Sequence, residues 1–440
     1  MAARRLSTTV LRAFSAVDHV AARRDRNVEP DGAGFQPVRM LELELTAPGP
    51  GQLGPAGGPD SRYQRARVLV RRQGRPVGAV DTELENGGLA GSTVEEIQAE
   101  FAIDEAPGST RTPDAMPGGL RVTVVVATHD RPADLRRCLD SVLATGYPEL
   151  EVVVVDNAPS SQDARRLVET SYPGVTYVRE DLPGTGCAHN RALAEVGTPI
   201  VAITDDDVVV DRDWVRSLAA AFATGGPAVG CVTGLIWPAE LETAAQAAIE
   251  SHGAFGKGFE TVRFAMDGGQ RPADPLFPYT SGRFGSGANM AFRTEVLRGL
   301  GGFDPLLGTG APGRGGQELA VFADVILAGH SLVYEPAALV HHRHRRDAEA
   351  VRAQAFNYGV GLSAYLTSLA LHHPAVLSDF VRLAPQAIRH VLRGSSTRQA
   401  EGQGRGRELL VLQLLGMAAG PWQYLSGRRS GRHRPKGVAP

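Results

Sequence analysis

The chain has 440 residues, a length that fits roughly three domain-sized units. Apolar residues make up 42% and charged residues 21% of the chain, which excludes an intrinsically disordered protein. The formal net charge is −2, from 46 basic and 48 acidic residues, and this balance excludes a general nucleic-acid binder. Glycine (52) and proline (29) are both abundant, so many turns and loops are expected.

The three cysteines and the hydropathy pattern indicate the compartment. Cys138, Cys187 and Cys231 are too few and too scattered for a disulfide framework or a zinc site, which favours a reducing environment. The sequence has no run of 18 or more apolar residues, so no transmembrane helix is predicted. The N-terminus lacks the continuous apolar segment of a secretory signal. The sequence therefore predicts a cytoplasmic protein.

The N-terminal quarter of the chain predicts a small module between two irregular segments. Residues 1–34 are interpreted as an irregular leader, and 35–103 as an α+β accessory module. Alternating polar and apolar residues at 38–46 predict a strand of that module, and a capping-box pattern from Ser92 predicts its helix. Repeated proline and glycine at 104–120 predict a linker.

From residue 121 onward, short β-branched runs alternate with helical patterns. The predicted strands lie at 122–127, 152–155, 175–178 and 200–204, and the predicted helices between and after them at 132–144, 161–170 and 183–195. Buried strands that alternate with helices indicate right-handed crossovers and a parallel sheet. Further along, the predicted strands lie at 227–238, 284–293 and 331–334, and the predicted helices at 241–249 and 317–328.

Acidic residues follow three of these strands. Asp130 comes after the first strand, Asp156 after the second, and the run 205–207 (Asp-Asp-Asp) after the fourth. Each has an alternative interpretation as a turn residue, a helix cap or a solvated turn. Ligands of an open parallel sheet bind beyond the carboxyl ends of its strands, so the three positions together favour one binding site. Adjacent carboxylates repel unless a cation lies among them, which predicts a site for a divalent metal and a diphosphate.

The same segments resemble the glycosyltransferases of family 2, which have the GT-A fold. The resemblance is carried by VTVVVATHDR (122–131), EVVVVDN (151–157), PGTGCAHNRAL (183–193), ITDDDVVVD (203–211), GSGANMAFR (285–293), GGFD (301–304) and VYEPAALVHH (333–342). It covers residues 121–346 in the expected order and implies an α/β fold with a mostly parallel sheet flanked by helices and a Rossmann-like nucleotide half. The N-terminal module and a C-terminal helical region would flank this domain.

The resemblance implies a metal-dependent, inverting transfer of one sugar from a nucleotide-diphosphate sugar to an acceptor hydroxyl. The residues expected to bind the nucleotide sugar are Thr128, Asp130, Asp156, Asn190, Asp205 and Asp206. Asp207 of the DXD motif (Asp205 and Asp207) and His342 are expected to hold Mn²⁺ or Mg²⁺. Any of the three aspartates fits the metal role, and spacing favours His342 over His341. Glu318 is expected to be the general base. The acceptor is a glycan, a lipid-linked compound or a small molecule.

Three features leave alternatives open. The family usually has Glu-Asp and a later Asp where this chain has Gln317, Glu318 and Ala320, so a catalytically impaired protein that binds sugar nucleotides or glycans is the second hypothesis. The histidines of 341–346 also fit a basic surface segment. A nucleotidyltransferase ranks last because its glycine-rich, lysine-containing loop is missing.

Two loop features have both a binding and a packing interpretation. Gly184-Thr-Gly before a helix fits either a phosphate-binding loop or a turn. The aromatic residues Trp237, Phe255, Phe259 and Tyr279 fit either stacking on an acceptor sugar or packing.

The C-terminal region, 347–440, is predicted to be helical and basic. Residues 379–440 contain 11 basic and 3 acidic residues. Residues 409–425 are mainly apolar but interrupted by Gln413, Pro421 and Gln423, which makes the segment too short and broken to cross a bilayer. Two interpretations remain: 409–436 lies on the inner face of a membrane as a peripheral anchor, or the helix packs on the catalytic domain.

Overall fold

The computed structural model describes residues 35–46, 59–102, 119–253, 256–383, 386 and 405–431. The predicted leader at 1–34 lies outside these described residues, as do 104–118 of the predicted linker, Phe255 and the basic residues after 431.

The N-terminal module is a three-stranded sheet covered by one helix. The strands are β1 (Val38–Glu44), β2 (Arg65–Arg72) and β3 (Arg75–Glu83), in the order β1-β2-β3, with β1 and β2 parallel. Helix α1 (Gly91–Ala102) buries Val94 and Ile97 against the apolar side chains of β1 and β2. The module therefore has a small core of its own.

The central sheet has nine strands. They are β4 (Val122–Thr128), β5 (Leu150–Asn157), β6 (Val175–Glu180), β7 (Ile200–Asp205), β8 (Val208–Val210), β9 (Val229–Pro238), β10 (Val262–Phe264), β11 (Met290–Arg293) and β12 (Ser331–His342). Their order is β10-β12-β9-β11-β7-β4-β5-β6, and β8 pairs with β12. The four strands β7, β4, β5 and β6 are parallel, as predicted, because their β-branched runs are buried and joined by helices. The other half is mixed, since β11 runs antiparallel to β7 and β9 while β9 and β12 are parallel.

Helices cover both faces of this sheet. They are α2 (Pro132–Ala144), α3 (Asp163–Ser171), α4 (Thr185–Leu193), α5 (Trp214–Gly225), α6 (Ala244–Gly253), α7 (Thr294–Gly299) and α8 (Gln317–Leu327). One core contains the buried side chains of α2, α3 and α5, and the other contains those of α4, α7 and α8. The α/β fold predicted from the sequence is confirmed.

Some element boundaries differ from the predictions. The predicted strand at 284–293 is reduced to β11, because Asn289 turns the chain and donates from its side-chain amide to the carbonyl oxygens of Leu235 (3.0 Å) and Ala338 (2.7 Å). The predicted strand at 331–334 extends to His342 as β12, and the short strands β8 and β10 were not predicted. Both short strands gain their pairing only from the distant β12.

Two long helices form the C-terminal region in the described residues. They are α9 (Ala348–His372) and α10 (Arg405–Ser430), with a further helical stretch at 376–383. Glycines bring α9 and α10 close together: a Cβ atom at Gly416 would collide with the carbonyl oxygen of Phe356, and one at Gly420 with Ser363. Among the described residues, no helix is long and apolar enough to cross a membrane.

Candidate active site

The carboxyl ends of β4, β5 and β7 meet at one edge of the sheet. Thr128 is in register with Asp156, and Ala127 with Asp205, so the last residues of the three strands lie side by side. The acidic positions that follow separate strands in the sequence are therefore brought to one edge. This is the edge at which α/β sheets bind their ligands.

Asp156 is fully buried at the end of β5. Its Oδ2 atom accepts a hydrogen bond from the Tyr177 hydroxyl (2.9 Å), while Oδ1 has no hydrogen-bond partner among the described residues. Burial raises the pKa of Asp156 above its ordinary value, and the nearby charge of Asp130 adds to this. An unpartnered buried acceptor is costly, so Oδ1 is suited to a donor group of a ligand.

Asp130 occupies an exposed turn beside Asp156. Its φ angle is 54°, and its Oδ1 atom accepts a hydrogen bond from the backbone N–H of Ser160 (3.0 Å). Its hydrogen bonds to Ser160 lower its pKa, so the carboxylate is ionised near neutral pH. The predicted ligand position is therefore open to solvent and fixed by the neighbouring loop.

Thr128 and Asp206 are bonded to each other. The Thr128 hydroxyl donates to Oδ2 of Asp206 (2.7 Å), and Arg131 donates to Oδ1 of the same carboxylate (3.2 Å) and to Oδ2 of Asp207 (3.1 Å). Thr128 is 3% and Asp206 4% exposed. Burial raises the pKa of Asp206 to about 6, and the Thr128 hydrogen bond acts against that shift. These bonds tie Thr128, Arg131 and the two aspartates together at the end of β4.

Asp205, Asp207 and His342 form a cluster that suits a metal ion. One ligand atom from each lies within 4.8 Å of the others, and Nε2 of His342 is 3.3 Å from Oδ1 of Asp207. The cluster exists because β8 pairs with β12 and puts Val208 in register with His342. Burial raises the pKa of Asp205 to about 7, helped by the charge of Asp207. Burial disfavours the charged forms of both Asp207 and His342. Their hydrogen bond and opposite charges outweigh this effect, so the pKa of Asp207 is lowered and that of His342 is raised.

Each of the three histidines at the end of β12 contacts a different carboxylate. His341 Nε2 lies 2.9 Å from Oε1 of Glu42 in the N-terminal module, on the opposite face of β12 from His342. His344 Nε2 lies 2.8 Å from Oε2 of Glu250. The structure therefore places His342, and not His341, beside the DXD motif. The alternative of a solvated basic segment does not describe these histidines.

Glu318 lies in the first turn of α8 and is half-buried. Burial raises its pKa, and its charge in turn contributes to the raised pKa of Asp205, so the two carboxylates belong to one electrostatic cluster. Gly287 leaves the carboxylate uncovered: a Cβ atom there would lie 3.9 Å from Cδ of Glu318. A basic carboxylate beside the metal cluster is the arrangement that a general base requires.

Asn190, an expected nucleotide contact, is hydrogen-bonded to the backbone of Phe303. Its side-chain amide donates to the carbonyl oxygen of Phe303 (2.7 Å), and its Oδ1 accepts from the N–H of Phe303 (2.8 Å). These two bonds fix the loop that follows α7 onto α4. Sequence spacing alone does not distinguish a ligand contact from a loop anchor of this kind.

The glycine-rich loop before α4 is held by protein groups. The N–H of Gly184 donates to Oδ1 of Asn157 (2.9 Å), and the N–H of Thr185 donates to the carbonyl oxygen of Thr309 (3.0 Å). Two of the backbone donors at this helix end are therefore already occupied. This favours the interpretation as a turn over that as a phosphate-binding loop.

The aromatic residues considered for an acceptor sugar lie in two other places. Trp237 and Phe259 line a cavity of about 250 Å³ between the sheet and the N-terminal module, which Arg67 and Asp81 also line. The Tyr279 hydroxyl donates to Asp379 (2.6 Å), and its ring packs on Phe380. These contacts favour packing for Tyr279.

Sequence reasoning missed a buried polar cluster next to Glu318. Thr185 Oγ1, His189 Nε2 and Gln317 Oε1 are buried without a hydrogen-bond partner among the described residues. Burial lowers the pKa of His189 to about 4, so this imidazole is neutral near pH 7. The sequence signal was the position of Gln317 directly before the candidate base, but it did not indicate which side chains would face it.

An acidic cluster and a histidine at the strand ends of an α/β sheet lie where proteins of this fold class bind their ligands. Residues 123–301 match the family model described as glycosyl transferase family 2. The match covers less than half of the chain and identifies this part of it as similar to the family 2 glycosyltransferases.

Two named relatives agree with this assignment. The chain is 28% identical over 330 residues to the pre-mycofactocin glycosyltransferase of Mycobacterium tuberculosis, a match that covers 73% of this chain and 62% of the relative. It is 24% identical over 242 residues to the glucosyl-dolichyl phosphate glucuronosyltransferase of Haloferax volcanii, covering 51% of this chain and 69% of that protein. The chain thus matches less than two thirds of the length of the mycobacterial relative.

Among solved structures, a mannosyltransferase from Pyrobaculum calidifontis in complex with GDP-Man and Mn²⁺ is similar at a TM-score of 0.42. The two chains are 22% identical, and the similarity covers 71% of this chain and 86% of the other. The observed sheet, rather than this distant likeness, defines the architecture of the present chain.

Proposed function

We propose that the protein is a metal-dependent, inverting glycosyltransferase that moves one sugar from a nucleotide-diphosphate sugar to an acceptor hydroxyl. The observation that carries the proposal is the close grouping of Asp205, Asp207 and His342 beside the basic carboxylate of Glu318. The family assignment and the names of the relatives support the same class of reaction.

The donor set fits a divalent cation such as Mn²⁺ or Mg²⁺. Two carboxylates and an imidazole within 4.8 Å of one another are ligands that these ions accept, and the burial of Asp205 beside Asp207 supports the proposal because a cation would offset their repulsion. Asp205, Asp207 and His342 would hold the ion, which would stabilise negative charge on the departing diphosphate. Asp130 and Asp156 would orient the nucleoside, the latter through its unpartnered Oδ1 atom.

Glu318 would act as the general base. Its carboxylate accepts the proton of the acceptor hydroxyl while that oxygen forms a bond to the anomeric carbon and the bond from this carbon to the diphosphate breaks. A single in-line displacement inverts the anomeric configuration. The raised pKa of Glu318 makes its carboxylate a stronger base than an exposed glutamate.

The test compares transfer with donor binding in Glu318→Gln. A panel of uridine, guanosine and cytidine diphosphate sugars is screened by calorimetry with Mn²⁺, and product configuration is read by NMR. We expect Glu318→Gln to bind the donor as the wild type does but to lose transfer by about 10²- to 10⁴-fold. Glu295→Gln, which changes an exposed glutamate in the first turn of α7, is the matched control.

Three outcomes contradict the proposal. A wild-type protein that binds a donor but transfers nothing supports the impaired binding protein, for which Gln317 and Ala320 are the motivating residues. Full activity of Glu318→Gln excludes this base, and a retained anomeric configuration excludes the single displacement.

Peripheral membrane association is the second part of the proposal. Helix α10 packs on α9, yet it exposes the large apolar side chains Val411, Leu414, Leu415, Trp422 and Leu425. Arg428 and Arg429 end the helix, and the chain after it is basic, so this face complements an anionic lipid surface.

We expect the protein to co-sediment with vesicles that contain phosphatidylserine but not with vesicles of pure phosphatidylcholine. The double variant Leu414→Ser/Leu415→Ser should bind these vesicles less than the wild type. If the variant co-sediments with phosphatidylserine vesicles as much as the wild type does, the exposed apolar face of α10 is not the membrane-binding surface.

A further inference from the structure

A chain of close contacts leads from the candidate metal cluster to α6. Nδ1 of His342 lies 3.1 Å from Nδ1 of His344, and Nε2 of His344 lies 2.8 Å from Oε2 of Glu250. His344 is 2% exposed, and the side chain of Glu250 is 16% exposed. These contacts continue the pair formed by His342 Nε2 and Asp207.

The donor and acceptor roles in this series of contacts follow from Glu250, the carboxylate at its end. A carboxylate oxygen is a hydrogen-bond acceptor, so the 2.8 Å contact with Oε2 of Glu250 favours the tautomer of His344 whose hydrogen is on Nε2. In that tautomer, Nδ1 of His344 is an acceptor, and the 3.1 Å contact between the two rings places the shared hydrogen on Nδ1 of His342. Nε2 of His342 faces Asp207, 3.3 Å away, and is the ring nitrogen that a metal ion in the cluster would take in place of a proton. A hydrogen on Nδ1 would leave the Nε2 lone pair available to that ion.

Helix α6 fixes this arrangement through two residues one turn apart. Gln246 is fully buried, and its side-chain amide donates to the carbonyl oxygen of His344 (3.2 Å) and to Glu240 (2.7 Å). Its Oε1 accepts from the N–H of Glu242 (2.8 Å). Gln246 therefore holds the backbone of His344 while Glu250 holds its ring.

We propose that His344 and Glu250 are positioning residues, which fix the tautomer and ring orientation of His342 so that its Nε2 lone pair points at the metal cluster. This inference deepens the proposed function and rests on its metal site. Groups that hydrogen-bond to a metal-ligating histidine fix its tautomer, and their loss typically costs about 10- to 100-fold in metal affinity.

The first experiment measures Mn²⁺ binding to the full chain by electron paramagnetic resonance of the free ion. Glu250→Leu removes the acceptor at similar volume and should weaken Mn²⁺ binding by about 10- to 100-fold. Glu250→Gln keeps an acceptor oxygen and should recover most of the affinity. Glu42→Leu is the matched control, because Glu42 contacts His341 in the same way on the other face of β12.

The second experiment reads the tautomers directly. In ¹⁵N-histidine protein with Mg²⁺, long-range NMR correlations should show the hydrogen of His342 on Nδ1 and that of His344 on Nε2, with His342→Gln used for assignment. Glu250→Leu should yield a mixture of tautomers at His342. Circular dichroism of each variant separates this effect from a loss of folding.

The outcomes separate the inference from the metal site itself. If Asp207→Asn abolishes Mn²⁺ binding while Glu250→Leu binds as the wild type does, the positioning role is wrong and the metal site stands. A hydrogen on Nε2 of His342 in the Mg²⁺-loaded protein also overturns the inference. If the wild type binds no Mn²⁺, the metal site and the positioning role both fail.

Discussion

His189 is a buried imidazole whose protonation opposes folding. It is 2% exposed in α4, its ring packs against Phe303, and burial lowers its pKa to about 4 from an ordinary value of 6.5. The folded state therefore binds this proton less readily than the unfolded chain. The associated stability is complete above pH 6.5 and is lost as the pH falls toward 4.

We expect the free energy of unfolding to fall by about 3 kcal/mol over this pH range through His189 alone. His189→Leu should lose less stability between pH 6.5 and pH 4 than the wild type, as measured by urea unfolding at several pH values. His330→Asn, which removes a half-buried histidine far along the chain, serves as the control. Parallel pH profiles for His189→Leu and the wild type would contradict the role of this buried ring.

At the scale of single residues, the sequence indicated which side chains lie at the candidate site better than it indicated their hydrogen-bond partners. The order of the motifs was sufficient to select Asp205, Asp207 and His342, which the fold brings within 4.8 Å. It was not sufficient for Asn190, whose amide binds the Phe303 backbone 113 residues away. A side chain's partner depends on where distant loops pack, and the sequence around that side chain does not contain this information.

Among the elements, the pair α9 and α10 is held together by glycines. A Cβ atom at Gly416 would collide with the backbone of α9. On α9, Gly361 lies against the loop before α8, and a Cβ atom added to it would be 3.0 Å from Cα of Gly315. Gly316, with a φ angle of 79°, is the last residue before α8 and directly precedes Gln317 and Glu318. The C-terminal helices thus support the loop that leads into α8, the helix that carries the candidate base.

Gly416→Ala should force α9 and α10 apart, because its methyl group meets backbone rather than a flexible side chain. We expect a loss of about 1–3 kcal/mol in the free energy of unfolding. Transfer should fall by about 10- to 100-fold with donor affinity unchanged, since Glu318 shifts while the strand ends do not. Thermal unfolding and steady-state kinetics measure the two effects.

Gly299→Ala is the matched substitution, because nothing lies within 4 Å of a Cβ atom at this helical glycine of α7. It should leave activity unchanged and stability equal or slightly higher. Equal behaviour of the two alanine variants would show that close packing at Gly416 does not support the base.

The elements that sequence patterns missed are the ones that complete the site. Strand β8 has three residues, too few for a periodic signal, and it forms because Val208 pairs with His342 more than 130 residues later. The helix predicted at 241–249 runs as Ala244–Gly253, which places Glu250 inside α6. The parallel strands were predictable because long β-branched runs signal burial on their own.

At the scale of the whole molecule, the N-terminal module docks on the sheet through apolar and ionic contacts. Leu69 of β2 packs with Leu235, Trp237 and Leu339 of the central sheet. Arg71, 6% exposed, pairs with Glu42 (2.8 Å) and with Asp211 (2.7 Å), which follows β8. The module is therefore part of the same packed unit as the candidate site.

Arg71→Met should leave the partly buried carboxylate of Asp211 without its cation and Glu42 with His341 alone, at a cost of about 3 kcal/mol in the free energy of unfolding. Arg67→Met, on the same strand, breaks a more exposed pair with Asp81 and should cost no more than about 1 kcal/mol. Urea unfolding of both variants tests the difference. Similar losses for the two would mean that Arg71 does not anchor the module.

Strand β12 carries His341 toward the module and His342 toward the candidate metal cluster, so consecutive residues have partners from two separate parts of the chain, Glu42 and Asp207. A substitution of Glu42 therefore affects His341, and a substitution of Asp207 affects the adjacent His342. Across related sequences, glutamate at position 42 and histidine at position 341 should be retained or lost together. Histidine at 342 should instead vary with the aspartates of the DXD motif, and the two adjacent positions should have separate evolutionary histories.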